Sequence, residues 1–160
     1  MADTLVVGVG NPLRGDDGIG PAVVEWLRAR RLPADVELID ARMSGLDLAL
    51  TLTGCRRAVV IDAADMGRAP GEWARLTPQQ VCPADRDGRL SPHAAGLAEA
   101  LALGAALGTL PEQVVIFGVQ PAQVTWSIGL SAAARRAVSG VGQAILHEIG
   151  ADPSAHNRGE

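Results

Sequence analysis

Acidic side chains and one histidine stand at positions where they could bind a metal ion. Asp16 and Asp17 lie in the glycine-rich segment GVGNPLRGDDGIG, Asp62 follows an apolar run, and His93 follows a Ser-Pro pair. Carboxylate and imidazole together suit a borderline divalent ion such as nickel or zinc. Three protein ligands also leave coordination positions open, as catalytic sites do. One of the two adjacent aspartates, with Asp62 and His93, is therefore a candidate metal site.

The glycine-rich segment also has some features of a dinucleotide-binding turn, with Asp40 in the place of a ribose-binding acid. That interpretation fails at Leu13, where the fingerprint needs its third glycine, and at Pro12, which lacks a backbone donor. Asp16 and Asp17 would also repel a pyrophosphate at the helix amino terminus. The turn therefore favours a cation over a nucleotide.

Each candidate residue also has a plainer explanation. Asp16 or Asp17 could simply cap the following helix, and His93 alone could be a capping or surface residue. We expect the turn glycines to adopt positive φ angles and so to place a carboxylate over the end of the sheet. These glycines are Gly8, Gly10, Gly15, Gly18 and Gly20.

Apolar runs and turn residues predict alternating strands and helices. The predicted strands are residues 4–9, 35–40, 58–62 and 113–118, with a short edge strand at 72–76. The predicted helices are residues 19–30, 45–53, 94–107 and a last helix, capped by Ser131, that ends near residue 149. Residues 77–89 are predicted to form a loop with one helical turn at most.

This alternation predicts an α/β fold. We expect a three-layer sandwich, in which an open, twisted and mostly parallel sheet of about five strands has helices on both faces. Ligands of such sheets bind outside the carboxyl ends of the strands, near the point where the strand order reverses. The candidate residues follow strands at that edge, so the fold is expected to bring them together.

Size and composition limit the classes of function. The 160 residues are enough for one domain, predicted at residues 1–150 and followed by a flexible tail at 151–160. A net charge of −4 and an aromatic content of 2% argue against a nucleic-acid partner. No secretory signal or membrane-spanning stretch is evident, and the two cysteines form no C-x-x-C pair. We therefore expect a cytoplasmic protein with no membrane partner.

Three segments together resemble the hydrogenase maturation endopeptidases. They are GVGNPLRGDDGIG after the first strand, VVIDA at residues 59–63 and SPHAAGLAEAL at residues 91–101, in the order and spacing of that family. The likeness extends to about Gly150 and includes the IGLS segment at residues 128–131. Residues 41–45 depart from it, since many members have a Gly-Gly-Thr-like turn there.

The resemblance implies that Asp17, Asp62 and His93 are the metal ligands and the catalytic residues. It implies an endopeptidase that removes the carboxyl-terminal extension of a nickel–iron hydrogenase large-subunit precursor after nickel insertion. The nickel is supplied by the substrate, although other divalent metals can occupy such a site. Asp16 and Asp40 are further candidates for assistance as a general base.

Two alternatives remain open from the sequence. The chain could be a non-catalytic chaperone that senses nickel in the precursor. It could also be a nucleoside phosphorylase or another hydrolase on a similar scaffold, although the acidic turn and the few aromatics argue against that class.

Overall fold

The computed structural model describes residues 2–42, 45–81 and 94–151. Strands and helices alternate along these residues, as the sequence predicts. The strands are β1 (Thr4–Val9), β2 (Val36–Ala41), β3 (Arg57–Ala63), β4 (Trp73–Leu76) and β5 (Gln113–Val119). The helices are α1 (Ile19–Arg28), α2 (Leu46–Thr51), α3 (Pro78–Val81), α4 (Ala94–Leu107) and α5 (Ala132–Glu148), and a 3-10 helix at Gly15–Gly18 precedes α1.

The five strands form one sheet in the order β2-β1-β3-β5-β4. β1 pairs in parallel with β2 and β3, and β3 pairs in parallel with β5, whereas the edge strand β4 is antiparallel to β5. The mostly parallel sheet and its short edge strand confirm the predictions. Because the chain passes from β1 to β2 on one side and then to β3 on the other, the strand order reverses between β1 and β3.

Helices cover both faces of the sheet and complete the three predicted layers. On one face, Val23 of α1 and Ile145 of α5 join the core that contains Val6 and Val59. On the other face, α2 and α4 contribute Leu48, Leu97 and Leu101 to the core that contains Val7 and Val60. Both cores consist mainly of aliphatic side chains, as a sequence with few aromatics requires.

β1 and α4 have the predicted bounds, and the ends of the other predicted elements differ from the predictions by at most two residues. α1 ends at Arg28 rather than at residue 30, and β3 extends from Arg57 to Ala63. Ser131 caps α5 as predicted, since its Oγ accepts a hydrogen bond from the Ala134 backbone N–H at 3.2 Å. Residues 82–89 of the predicted loop at 77–89, His93, and residues 152–160 of the predicted tail at 151–160 lie outside the described residues.

The first turn of α4 lies at the carboxyl edge of the sheet, which is the edge where the parallel strands end. The Gly45 N–H donates to the Gly96 carbonyl at 3.2 Å, and the Gly10 N–H donates to the Ala41 carbonyl at 3.3 Å. The first of these hydrogen bonds joins the residue before α2 to the start of α4, and the second joins the ends of β1 and β2. Within the described part of the chain, no helix combines the length and the apolar character needed to cross a bilayer.

Candidate functional site

The turn after β1 packs against the carboxyl ends of two strands. Gly10 has a φ of 131°, and a Cβ there would clash with the Asp17 carbonyl. A Cβ on Gly20 would lie 2.6 Å from the Val9 nitrogen and 2.7 Å from the Ile61 oxygen. These glycines therefore let the 3-10 helix and the start of α1 lie directly over the ends of β1 and β3.

The prediction of positive φ for all five turn glycines is wrong for three of them. Gly10 and Gly15 have positive φ, at 131° and 59°. Gly8, Gly18 and Gly20 instead lie so close to other backbone atoms that a side chain would not fit. Close approach, rather than a left-handed backbone, explains those three glycines.

Asp62 is a buried carboxyl group at the end of β3. It is 3% exposed, and it lies on the same face of β3 as Ala58 and Val60, which pack against α2 and α4. Burial raises the pKa of Asp62 well above its ordinary value, and the charge of Asp17 raises it further, against the opposing effect of the Ala63 backbone N–H. A buried carboxyl group next to a second one favours a bound proton or cation.

Asp17 is the neighbour that acts on Asp62. It lies in the 3-10 helix, and its Oδ2 accepts a hydrogen bond from the Asn11 backbone N–H at 2.8 Å. Asp17 thus lies close enough to Asp62 for its charge to act on that carboxyl group, although 45 positions separate residues 17 and 62 in the sequence. The sequence did not reveal the role of Asn11, whose backbone N–H orients the Asp17 carboxylate.

The third predicted ligand, His93, lies outside the described residues. In the sequence it directly precedes Ala94, the first residue of α4. Within residues 2–42, 45–81 and 94–151, no three His, Cys, Asp or Glu side chains are grouped closely enough to hold a metal ion.

Asp16 makes contacts that differ from those of Asp17. It is 1% exposed, and its carboxylate accepts hydrogen bonds from the Ser131 N–H at 2.7 Å, the Ser131 hydroxyl at 2.7 Å and the Ala122 N–H at 2.8 Å. Burial alone would raise the pKa of Asp16, but these hydrogen bonds lower it. The side chain does not cap the helix that follows it, since α1 has no side-chain cap hydrogen bond. It anchors the loop between β5 and α5, and its contacts give no support to a role as a general base.

Asp40 is exposed on the other face of the sheet. It lies on the same face of β2 as Val36 and Leu38, whose side chains pack on the α1 and α5 side. Asp62 lies on the opposite face of the sheet, with residues that pack against α2 and α4. Side chains two apart on a strand share a face. The predicted assistance of Asp40 to Asp62 therefore has no support from the strand geometry.

Gln120 is a polar residue of this edge that the sequence analysis missed. It directly follows β5 and is 7% exposed. Its side-chain oxygen accepts hydrogen bonds from the backbone N–H groups of Met66 at 2.7 Å and Arg68 at 3.2 Å, and its amide donates to Asp65 at 3.2 Å. Gln120 thus fixes the loop that follows Asp62. Its position at the end of a predicted buried strand was the signal that could have identified it.

Comparison with known proteins gives the family. The family of hydrogenase maturation proteases matches residues 21–148, a range that contains positions 62 and 93 but not position 17. The chain is 36% identical over 121 residues to a hydrogenase expression/formation protein, HupM, of Azotobacter chroococcum; this covers 75% of the chain and 58% of the relative. It is 35% identical over 129 residues to the hydrogenase 2 maturation protease of Escherichia coli, which covers 79% of the chain and 78% of the relative.

A solved structure agrees with these sequence matches. The hydrogenase maturating endopeptidase HYBD of E. coli superposes with a TM-score of 0.79 at 29% identity, covering 92% of this chain and 91% of that one. The chain spans less than two thirds of the length of several curated relatives, 58% in the case of the Azotobacter protein. The family match, the relatives and the shared fold together show that the chain belongs to the hydrogenase maturation protease family.

Proposed function

We propose that this protein is an endopeptidase that removes the carboxyl-terminal extension of a nickel–iron hydrogenase large-subunit precursor after nickel insertion. Family membership supports the reaction class, because the E. coli relatives are named as a maturation protease and a maturating endopeptidase. The observation that carries the proposal is the buried Asp62 carboxyl group beside the Asp17 charge at the carboxyl edge of the sheet. Such a pair is suited to bind a cation.

The metal in this proposal is nickel that belongs to the precursor. Asp17 and Asp62 supply carboxylate oxygens, and His93 supplies an imidazole nitrogen from the residue before α4. Imidazole shifts the preference of such a set towards nickel or zinc and away from magnesium or calcium, and other divalent metals can occupy it. The role of His93 as a metal ligand is the one that the sequence predicts, and substitution of His93 tests it.

The three ligands act mainly by holding the substrate in position. A precursor whose nickel is bound by Asp17, Asp62 and His93 has its scissile peptide bond fixed near the same edge of the sheet, and this orientation lowers the barrier to attack by water. Water then adds to the scissile carbonyl carbon, the C–N bond breaks, and the leaving amine takes up a proton. A precursor without nickel lacks the group that the ligands bind and is left uncut.

The test uses purified protein and two forms of one precursor. Incubation with the nickel-loaded large-subunit precursor is expected to release a carboxyl-terminal peptide, which intact-mass spectrometry detects as a loss of mass. The nickel-free precursor serves as the control and is expected to keep its mass. Stable binding of the nickel-loaded form with no loss of mass would instead identify a nickel-sensing chaperone.

A further inference from the structure

Two loops next to the candidate site present an exposed apolar surface. It consists of Leu13, Trp126 and Ile128, which are 49%, 77% and 87% exposed, together with the neighbouring Arg14. We call these four residues the docking surface. Large apolar side chains exposed together mark sites of protein–protein contact, whereas isolated ones need no explanation.

Hydrogen bonds hold the two loops together. The Gly15 N–H donates to the Ser127 carbonyl at 2.8 Å, and the Ser127 N–H donates to the Leu13 carbonyl at 3.1 Å. The buried Asp16 carboxylate binds both ends of the loop between β5 and α5, at Ala122 and at Ser131. Trp126 and Ile128 flank Ser127, so they are presented from an anchored segment, which lowers the entropy lost on binding.

The docking surface is continuous with the candidate site. The Leu13 N–H donates to the Asn11 side-chain oxygen at 2.9 Å, and the Asn11 N–H donates to the Asp17 carboxylate at 2.8 Å. Two hydrogen bonds thus separate the docking surface from a proposed nickel ligand. A protein whose nickel and scissile bond reach the site must also cover the residues around it.

The charge and chemistry of the docking surface indicate what it binds. Residues 11–15 and 121–131 contain one charged residue, Arg14. The Arg14 guanidinium carbon lies 5.5 Å from the centroid of the Trp126 ring, so a positive charge lies directly beside the apolar side chains of the docking surface. Tryptophan and arginine are the residue types that contribute most to protein interfaces. The matching partner surface therefore has apolar side chains beside a carboxylate, whose negative charge complements Arg14.

We propose that the docking surface binds the body of the hydrogenase large-subunit precursor, through apolar side chains next to an acidic group, and so holds the precursor while its nickel occupies the site. This inference rests on the proposed function, since it takes the precursor as the substrate. It assigns affinity for the precursor to Leu13, Trp126 and Ile128, and positioning of the scissile bond to Asp17 and Asp62.

The test compares the variants Trp126→Ala and Ile128→Ser with a matched control, Leu107→Ser. Leu107 is 60% exposed and is the last residue of α4, whose first turn lies at the carboxyl edge, so it lies away from that edge. Affinity for the immobilised nickel-loaded precursor and the steady-state constants for processing are measured for each variant. Circular dichroism verifies that each variant is folded.

Trp126→Ala and Ile128→Ser are each expected to weaken precursor binding and raise KM by about tenfold, with kcat within about twofold of the parent. Leu107→Ser is expected to change neither. Unchanged affinity in both surface variants would overturn the proposal. A surface that instead joins two copies of this chain would show itself as a dimer lost in Trp126→Ala, with affinity for the precursor unchanged.

The result also separates this proposal from the proposed function. If the parent protein binds the precursor without cutting it and Trp126→Ala weakens that binding, the result supports the docking surface and contradicts the proposed peptidase activity. If the parent protein cuts the precursor and neither surface variant alters KM, the result supports the peptidase activity and contradicts the docking surface. A parent protein that neither binds nor cuts the precursor contradicts both.

Discussion

The charge of Asp17, in the turn after β1, acts on the buried Asp62 carboxyl group at the end of β3. Asp62 is buried, and the charge of Asp17 adds to the effect of burial in raising its pKa. Asp17 is held in place by the Asn11 backbone N–H. Because like charges in a buried site repel, this arrangement costs stability unless a proton or cation is present, which is the expected property of a site that binds a metal ion.

The first prediction concerns the three proposed ligands. Asp17→Asn, Asp62→Asn and His93→Ala are each expected to lower the rate of precursor processing by at least about a hundredfold, because the nickel and the scissile bond lose their fixed position. Intact-mass spectrometry of the precursor over time measures the rate. Asp40→Asn is the matched control, since Asp40 lies on the opposite face of the sheet, and it is expected to retain activity. Full processing by all three ligand variants would rule out the proposed site.

The second prediction concerns the stability of the metal-free protein. The pKa of Asp62 is raised in the folded state, so the folded protein binds this proton more tightly than the unfolded chain does. The contribution of Asp62 is therefore favourable at low pH and is lost as the pH rises from the unfolded pKa through the raised folded value. Asp62→Asn is expected to raise the melting temperature at neutral pH and to flatten this part of the pH dependence.

Thermal unfolding in the presence of a chelator, followed from pH 4 to pH 8, measures that dependence. Asp17→Asn provides a second test, because it removes the charge that raises the pKa of Asp62 and leaves the burial unchanged. Asp17→Asn is expected to raise the melting temperature at neutral pH by less than Asp62→Asn does. A melting temperature for Asp62→Asn below that of the parent at neutral pH would contradict the assigned cause of the shift.

The third prediction assigns a structural role to Asp16. Asp16→Asn puts an amide against the N–H groups of Ala122 and Ser131, and it is expected to destabilise the protein by about 2 kcal/mol. The pKa of Asp16 is lowered in the folded state, so its contribution is fully present above the unfolded pKa and is lost as the pH falls through the folded value. Urea unfolding at neutral and acidic pH measures both effects.

A matched control separates the carboxylate from the hydroxyl it binds. Ser131→Ala removes one hydrogen bond to Asp16 and the cap of α5 but keeps the Ser131 backbone donor. It is expected to cost about 1 kcal/mol, less than Asp16→Asn. Equal stability of Asp16→Asn and the parent at neutral pH would mean that the loop does not depend on this carboxylate.

The sequence predicts the three layers and the approximate bounds of the strands and helices, because apolar runs and turn residues are local signals. Strand β1 and helix α4 have the predicted bounds, and the charge of Asp17 acts on Asp62 at the edge where the parallel strands end. The function of Asp16 was not predictable, because its partner Ser131 is 115 positions away in the sequence. The face on which Asp40 lies was also unknown, since it depends on which helices cover each side of β2.

The fourth prediction tests the close packing that places the carboxylates. A Cβ on Gly20 would lie 2.6 Å from the Val9 nitrogen and 2.7 Å from the Ile61 oxygen, so Gly20→Ala is expected to destabilise the protein by about 2–3 kcal/mol. Gly140 in α5 is the matched control, because a Cβ there meets its nearest atom, the Trp73 indole nitrogen, at 3.6 Å. Gly140→Ala is expected to stabilise the protein by about 0.5–1 kcal/mol through helix propensity alone.

The two alanine variants also report on the site. Gly20 lies between the ends of β1 and β3, so relief of its clash must move the turn that carries Asp17 away from the strand that carries Asp62. Processing is therefore expected to fall in Gly20→Ala even under conditions where the variant is fully folded, and to be unchanged in Gly140→Ala. Urea unfolding and the processing rate, measured on the same preparations, separate lost folding from lost geometry. Normal processing by folded Gly20→Ala would mean that the distance between the two carboxylates is not critical.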